Sequence, residues 1–190
     1  MGKYLPAMMS SEELEQKFGI SHGWSKKNSG VSGRHHATFE SNAFMGAKAV
    51  KAALEKCNMD ISSIDLLISA SATFDYPLPN QSSMIKNALT NGIELDFPTL
   101  DIDTTCLSFV SALDICAQFL DGKRYKTIVI VTSEIASKGL NPENWETLTL
   151  FGDAAVAAVL KFDESGNSGL IKSGFKNFTE GVFDTIIKGG

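Results

Sequence analysis

The chain of 190 residues is short of cysteine and has no long apolar run. Its three cysteines stand at unrelated spacings, which excludes a disulfide framework and a zinc-binding pattern. No apolar stretch approaches the roughly twenty residues of a membrane-spanning helix, and the first residues lack the apolar core of a signal peptide. We therefore expect a cytoplasmic protein that does not associate with a membrane.

The chain also lacks a run of basic residues. It carries 17 Lys and Arg against 22 Asp and Glu, for a formal net charge of −5 at pH 7. Nonspecific nucleic-acid binding requires several cations that neutralise phosphates, so we predict no nucleic-acid partner. The one basic cluster, of Lys26, Lys27 and Arg34, is predicted to be a solvated loop, although it would also attract a phosphate-bearing substrate.

Histidine is scarce, and its arrangement does not indicate a metal site. The chain has three histidines, His22, His35 and His36, all in one glycine-rich stretch. Their spacing matches no metal-binding helix, so they are predicted to be surface or structural residues and no bound metal is expected.

What is present is an alternation of apolar strands and helices. An apolar content of 43% with 21% charged residues is ordinary for one soluble domain with a substantial core. Strands are predicted at 66–70, 100–103, 127–132, 154–162 and 169–178, and helices at 10–18, 41–56, 80–89 and 107–120. This order predicts an α/β fold with a sheet covered by helices on both faces.

Cys106 stands where a predicted strand passes into a long helix. Free N–H groups and the macrodipole at a helix N-terminus favour negative charge, so a thiol there ionises readily. Because the helix is apolar over most of its circumference, it is predicted to be buried, with Cys106 at the floor of a pocket. This placement indicates a nucleophile.

The alternative is that Cys106 is a small apolar residue of the core, as most free cysteines are. Cys57, at the end of a predicted helix, and Cys116, in the middle of another, have only that interpretation. Cys106 differs from both in its position at a helix start, and both interpretations of it stay open on these grounds alone.

Three segments resemble the β-ketoacyl-acyl carrier protein synthase III group of the thiolase-like condensing enzymes. Segment 24–35 is similar to the family's tryptophan, glycine and arginine-histidine segment. Segment 104–109 resembles its nucleophile motif, and segment 151–160 resembles its glycine-aspartate-alanine strand. The three occur in the family's order and spacing, so the resemblance covers nearly the whole chain.

The resemblance implies a fold of two similar αβα halves, with the nucleophile helix between them. Residues 1–190 resemble the first, N-terminal thiolase-like domain, with a mixed, mostly parallel sheet. The first strand of this half looks clipped. Family members supply a histidine and an asparagine from the second half, which this chain is expected to lack. The side of the chain that meets that half is then expected to expose apolar surface.

The resemblance also implies an acyltransferase of fatty acid or related acyl biosynthesis. Cys106 would take an acyl group from a thioester and then pass it to the carbanion formed by decarboxylation of malonyl-acyl carrier protein. The substrates would be acyl-CoA and malonyl-acyl carrier protein, with acyl carrier protein as partner and no cofactor or metal. Family membership further implies a homodimer.

The resemblance assigns substrate contacts to four residues. Trp24 matches a tryptophan that stacks on the coenzyme A adenine, and Leu150 with Phe151 matches residues that line the acyl tunnel. Leu78 matches a bulky residue that reaches into the partner subunit's pocket. On sequence alone, the alternatives are a packed aromatic for Trp24 and plain core residues for the other three.

Two departures from the family affect the binding of coenzyme A. Asn28 and Trp145 occupy positions where arginines usually flank coenzyme A. Asn28 is kept as a candidate binding residue. The priming acyl group is therefore expected to arrive either on coenzyme A or on another carrier.

Two other classes of function compete with the enzyme. The chain could be a non-catalytic interaction subunit that pairs with another thiolase-like chain, with Cys106 incidental. A nucleotide-binding α/β module ranks last, because no glycine-rich phosphate loop follows any predicted strand.

Overall fold

A computed structural model describes residues 1–184 and 186. Its strands are β1 (Gly2–Tyr4), β2 (Ala7–Ser10), β3 (Gly33–His36), β4 (Leu66–Ala70), β5 (Thr99–Ile102), β6 (Thr127–Ile135) and β7 (Asp153–Lys161). Its helices are α1 (Ser11–Phe18), α2 (Trp24–Asn28), α3 (Asn42–Lys56), α4 (Gln81–Thr90), α5 (Ser108–Phe119) and α6 (Trp145–Leu148). None of the described helices is long and apolar enough to span a membrane.

Five strands form one mixed sheet in the order β1-β7-β6-β4-β5. Strand β4 is parallel to both of its neighbours, while β7 is antiparallel to β6 and to β1. Strand β7 therefore runs against the other four, and the sheet is mostly parallel in direction. Strands β2 and β3 form a separate antiparallel pair.

Alternate residues of the central strands face opposite layers of helices. Leu67 and Val129 point toward α3 and α4, whereas Ile68 and Ile130 point toward α5, where they pack with Cys116. Every residue of β4 is buried, as expected for a parallel strand covered on both faces. The prediction of helices on both faces of the sheet is confirmed.

Predicted helix ends are also confirmed. Ser10 and Glu13 form a complete capping box at the start of α1, and Gly19 ends this helix with φ 67°. Ser41 caps α3, its side chain accepting a hydrogen bond from the Phe44 N–H at 3.1 Å.

Strand β1 is short and lies directly against α3. A Cβ atom placed on Gly2 would come within 2.2 Å of the backbone nitrogen of Ala53 and 2.4 Å of the carbonyl oxygen of Ala49. Only glycine lets the strand approach the helix this closely while it pairs with β7.

The strand predicted at 169–178 is wrong. Residues 171–178 contain no regular structure, and Ile171 is 100% exposed. Strand β7 already pairs with β6 on one side and with β1 on the other, so segment 169–178 cannot pair with β7 as a further strand. Of the final segment, 179–190, residues 185 and 187–190 lie outside the described residues.

Candidate active site

The turn from β5 into α5 places Cys106 at the head of the helix. Thr105, just before it, has φ 52°, a left-handed conformation that a β-branched residue rarely adopts and that costs about 1–3 kcal/mol. A turn of this kind reverses the chain sharply and leaves the next side chain projecting, as in nucleophile elbows.

Hydrogen bonds stabilise this turn. The Thr105 N–H donates to Asp103 Oδ1 at 2.8 Å, and the Thr104 N–H donates to Ser108 Oγ at 3.0 Å. The Ser108 hydroxyl in turn donates to the Thr105 carbonyl oxygen at 2.7 Å. Ser108 is buried, so its hydroxyl stabilises the turn from the protein interior.

Cys106 lies in the 3-10 turn Thr105–Leu107, which leads directly into α5. The predicted position at a helix start is confirmed. The neighbouring N–H groups of Leu107 and Ser108 bond to carbonyl oxygens of the turn. Among the described residues the Cys106 N–H has no hydrogen-bond partner, which leaves it free to bind a carbonyl oxygen.

The prediction that Cys106 lies at the floor of a pocket is wrong for this chain. Cys106 is exposed, and so are the neighbouring apolar residues Leu107, Phe109 and Val110. The reason is that α5 packs on the sheet through Ala112 and Cys116, and no other element packs on its opposite side within the described residues. We call these three residues the open apolar side of α5.

The other two cysteines differ from Cys106 in position or exposure. Cys116 is fully buried, and burial raises the pKa of its thiol to about 12. Cys57 ends α3 and is exposed, so its prediction as a core residue is wrong. Cys57 lies at a helix C-terminus, whereas Cys106 lies just before a helix N-terminus.

The loops at the carboxyl edge of the sheet are held by two carboxylates. Asp153 is buried and accepts hydrogen bonds from the Ala37 N–H at 2.7 Å and the Ser137 hydroxyl at 2.6 Å. Glu134 accepts from the Thr73 N–H at 2.9 Å and from the Ala72 N–H at 2.8 Å. Asp153 thus joins the segment after β3 to the segment after β6, and Glu134 holds the loop that follows β4. Cys106 follows the same edge, where sites of α/β sheets lie.

A separate cleft of about 200 Å³ brings together three of the predicted binding residues. Its lining comes from both ends of α2 and from residues in and just after α6: Trp24, Asn28, Ser29, Glu146, Thr149 and Leu150. We call it the Trp24 cleft. Of the predicted set, Trp24, Asn28 and Leu150 meet here.

Trp24 both packs and lines this cleft. Its ring meets Trp145 edge to face, with centroids 5.8 Å apart and planes at 83°. Both rings pack on a small core that includes Leu14 and Leu148. Asn28 donates from Nδ2 to the Trp24 carbonyl oxygen at 2.8 Å, one helical turn earlier. Within the part of the chain that the structure describes, the one charged side chain that lines the cleft is the carboxylate of Glu146.

The remaining predicted binding residues do not line this cleft. Leu78 is 84% exposed, in the loop before α4, and Phe151 is exposed just after α6. Leu150 is exposed as well. The alternative interpretation, in which Leu78, Leu150 and Phe151 are plain core residues, is therefore wrong.

The predicted basic cluster does not form a solvated loop. Arg34 is only 4% exposed and donates from Nη2 to the Thr149 carbonyl oxygen at 2.8 Å and to Ser11 Oγ at 3.0 Å. Burial lowers its pKa, and the negative charge of Glu15 opposes that change. Lys26 and Lys27 are exposed on α2. The burial of Arg34 and Glu15 was not predicted from the sequence, because no pattern in the neighbouring residues indicates that either is buried.

The histidines are surface or structural residues, as predicted, and the side chain of His22 is 85% exposed. His35 Nδ1 lies 2.7 Å from the Pro6 carbonyl oxygen, and His36 is half-buried, with its pKa lowered chiefly by desolvation. Within the described residues, no group of three or more His, Cys, Asp or Glu side chains is arranged to hold a metal ion.

Known proteins match this chain over most of its length. A family model for 3-oxoacyl-[acyl-carrier-protein (ACP)] synthase III matches residues 100–177. The β-ketoacyl-[acyl-carrier-protein] synthase III of Ehrlichia canis (strain Jake) is 31% identical over 189 residues, covering 98% of this chain and 58% of that protein.

Solved structures agree. The 3-oxoacyl-[acyl-carrier-protein] synthase III of Aquifex aeolicus VF5 superposes with a TM-score of 0.78 at 29% identity, covering 86% of this chain and 52% of that one. The corresponding enzyme of Pseudomonas aeruginosa PAO1 gives 0.79 at 25% identity, covering 88% and 52%. The resemblance and the thiolase-like αβα fold are confirmed, and the chain spans about half the length of the relatives it matches.

Proposed function

We propose that this chain, a relative of the β-ketoacyl-acyl carrier protein synthase III family, carries the acyl-accepting site of such an enzyme. The observation that carries the proposal is the position of Cys106, exposed at the head of α5 after a left-handed residue, with its own N–H free among the described residues. The chain would act as an acyltransferase in fatty acid or related acyl biosynthesis.

The first step is transfer of an acyl group to Cys106. The thiolate attacks the thioester carbonyl carbon, a new carbon–sulfur bond forms, and the carrier leaves as its thiolate. The Cys106 N–H can donate to the oxyanion that develops. The substrates are acyl thioesters, and no resident cofactor takes part.

The second step is condensation with malonyl-acyl carrier protein. Loss of carbon dioxide leaves a carbanion that attacks the acyl carbon on Cys106; a carbon–carbon bond forms, the carbon–sulfur bond breaks, and Cys106 leaves as its thiolate. Acyl carrier protein is the partner in this step. His35 Nδ1 is bonded to the Pro6 carbonyl oxygen, and His36 Nε2 is buried away from solvent. We propose that residues 1–190 form the N-terminal domain and that a second half supplies the groups for this step.

Three further features of the family belong to the proposal. The Trp24 cleft would receive the carrier end of the thioester, whether coenzyme A or a carrier protein's arm. Leu78, which projects from the surface, and Phe151 would contact the acyl chain, with Leu78 reaching a second copy in a homodimer. A cytoplasmic location agrees with three cysteines that are all free thiols.

Intact-mass measurement after incubation with acetyl-CoA and with acetyl-pantetheine tests the first step. We expect one acetyl adduct in the wild type, lost in Cys106→Ala and retained in Cys57→Ala. Cys57→Ala is the matched control, because Cys57 is also exposed but lies at a helix end of opposite polarity. An adduct that survives in Cys106→Ala would contradict the proposal.

The open apolar side of α5 favours a second candidate, a non-catalytic subunit that pairs with another chain. It exposes Leu107, Phe109 and Val110 beside Cys106. On this alternative no cysteine is acylated by either thioester, and Cys106→Ala sediments like the wild type. With the enzymatic proposal, the chain by itself is acylated but forms no condensation product from malonyl-acyl carrier protein.

A further inference from the structure

Glu15, on α1, is a buried carboxylate with two defined partners. It is 2% exposed, and its Oε2 accepts a hydrogen bond from the Gly23 N–H at 2.7 Å. Its Oε1 accepts from the Ser25 N–H at 2.8 Å. The two bonded N–H groups flank Trp24 in the chain. A desolvated carboxylate is costly unless it is bonded, so this arrangement is specific.

Helix α2 depends on this carboxylate because it has no cap of its own. Its N-cap is Gly23, with φ 80° and no side chain that could accept from the first N–H groups. A helix of five residues is also too short to be stable alone. Glu15 therefore supplies from α1 an acceptor for the Ser25 N–H in the first turn of α2, and it also binds the N–H of the N-cap residue Gly23.

The opposite wall of the Trp24 cleft is tied to the same helix. Arg34 donates to the Thr149 carbonyl oxygen and to the hydroxyl of Ser11, which is the first residue of α1. The charge of Glu15 favours the charged form of this buried guanidinium. Ser29, at the end of α2, also donates to the Thr149 carbonyl oxygen, at 3.4 Å. Both walls are thus anchored on α1.

We propose that Glu15 is a positioning residue for thioester binding: it holds Trp24 and the α2 wall of the Trp24 cleft in the arrangement that receives the carrier end of the substrate. Glu15 does not touch the substrate. Its effect passes through the backbone of α2, which it bonds at Gly23 and Ser25. This inference rests on the proposed function, in which that cleft binds the carrier.

Glu15→Gln tests the proposal, with Glu12→Gln as control. Glutamine has one acceptor oxygen and an NH₂ group that would face a backbone donor, so one of the two bonds is lost together with the charge. Glu12 lies on the same helix, exposed. We expect the half-saturating concentration of acetyl-CoA for acylation of Cys106 to rise about tenfold in Glu15→Gln, with a limiting rate within about twofold of the wild type.

Tryptophan fluorescence gives a second readout that does not require acylation. The chain has two tryptophans, and they are Trp24 and Trp145, which are in contact beside the cleft. We expect the emission of Glu15→Gln to shift to longer wavelength as α2 loosens and water reaches the rings. Glu12→Gln should match the wild type in emission and in half-saturation.

The outcomes separate this proposal from the proposed function. A folded Glu15→Gln with wild-type half-saturation and emission would overturn the role of Glu15, and so would a loss confined to the limiting rate. If no thioester acylates the wild type, the proposed function fails, and the emission shift alone decides whether Glu15 positions Trp24. Should Glu15→Gln not fold, hydrogen exchange of the wild type decides: fast exchange at the Gly23 and Ser25 amides overturns the proposal and slow exchange supports it.

Discussion

The three thiols should differ strongly in their reaction with iodoacetamide at pH 8. Cys106 and Cys57 are exposed, whereas Cys116 is fully buried on α5. Burial raises the pKa of Cys116 from an ordinary value of 9.0 to about 12. This higher pKa lowers the fraction of Cys116 that is thiolate at pH 8 by about 1,000-fold, and the thiolate is the reacting species. Steric exclusion by Ile68 and Ile130 slows the reaction further.

A time course of intact mass measures this difference. We expect two carbamidomethyl groups to add to the native chain, and a third only after the chain is unfolded in urea. Cys57→Ala should take up one group while native, and Cys116→Ala should take up two. The variants therefore assign each adduct to its residue.

Labelling of Cys116 in the folded chain within about tenfold of the rate of Cys57 would refute the reasoning. Such a rate would mean that α5 does not pack on the sheet through Ala112 and Cys116 as described. Circular dichroism recorded before and after labelling shows whether the chain stayed folded during the reaction.

Three further predictions concern stability. Ser10→Ala removes the acceptor of the Glu13 N–H and should lower the free energy of unfolding in urea by about 1 kcal/mol; no change would contradict the role of the capping box. Thr105→Gly should raise it by about 1 kcal/mol, because glycine adopts φ 52° without strain, and a lower melting temperature would refute that strain. Glu40, whose pKa is lowered mainly by the Thr38 N–H, stabilises the fold above the ordinary carboxyl pKa and loses this effect as pH falls. The deficit of Glu40→Gln should thus be largest near pH 7 and shrink toward pH 3, whereas a deficit that does not depend on pH would argue against it.

The regular elements with local signals could be predicted from the sequence. The helix predicted at 41–56 is α3, with Ser41 as its N-cap. The strand predicted at 127–132 continues to Ile135, because β7 pairs with Ser133 and Glu134 although these polar residues interrupt the apolar pattern. The apolar period of a strand (two residues) or of a helix (3.6 residues) depends only on neighbouring residues. It therefore predicts where an element begins more reliably than how far pairing with another strand extends it.

Long-range pairing could not be predicted. Strands β2 and β3 are separated by more than twenty residues and carry no clear alternation, so neither was expected. The burial of Arg34 and Glu15 likewise depends on contacts between distant segments rather than on a local pattern.

The sequence predicts where Cys106 lies in the fold, but it does not predict which residues surround it. The strand-to-helix pattern predicts Cys106 at the junction of the two elements, and the structure places it in the 3-10 turn that leads into α5. The exposure of Cys106 depends on what covers the open apolar side of α5, which the apolar character of the helix does not specify. Whether Cys106 and the residues of the Trp24 cleft act on a thioester stays a prediction.

The contact of β1 with α3 has a consequence for sequence tolerance. Any side chain at position 2 would collide with main-chain atoms of Ala49 and Ala53, which cannot rotate away as a flexible side chain can. In a saturation library scored for folded protein, position 2 should accept glycine alone, while the exposed flanking positions Met1 and Lys3 accept most substitutions.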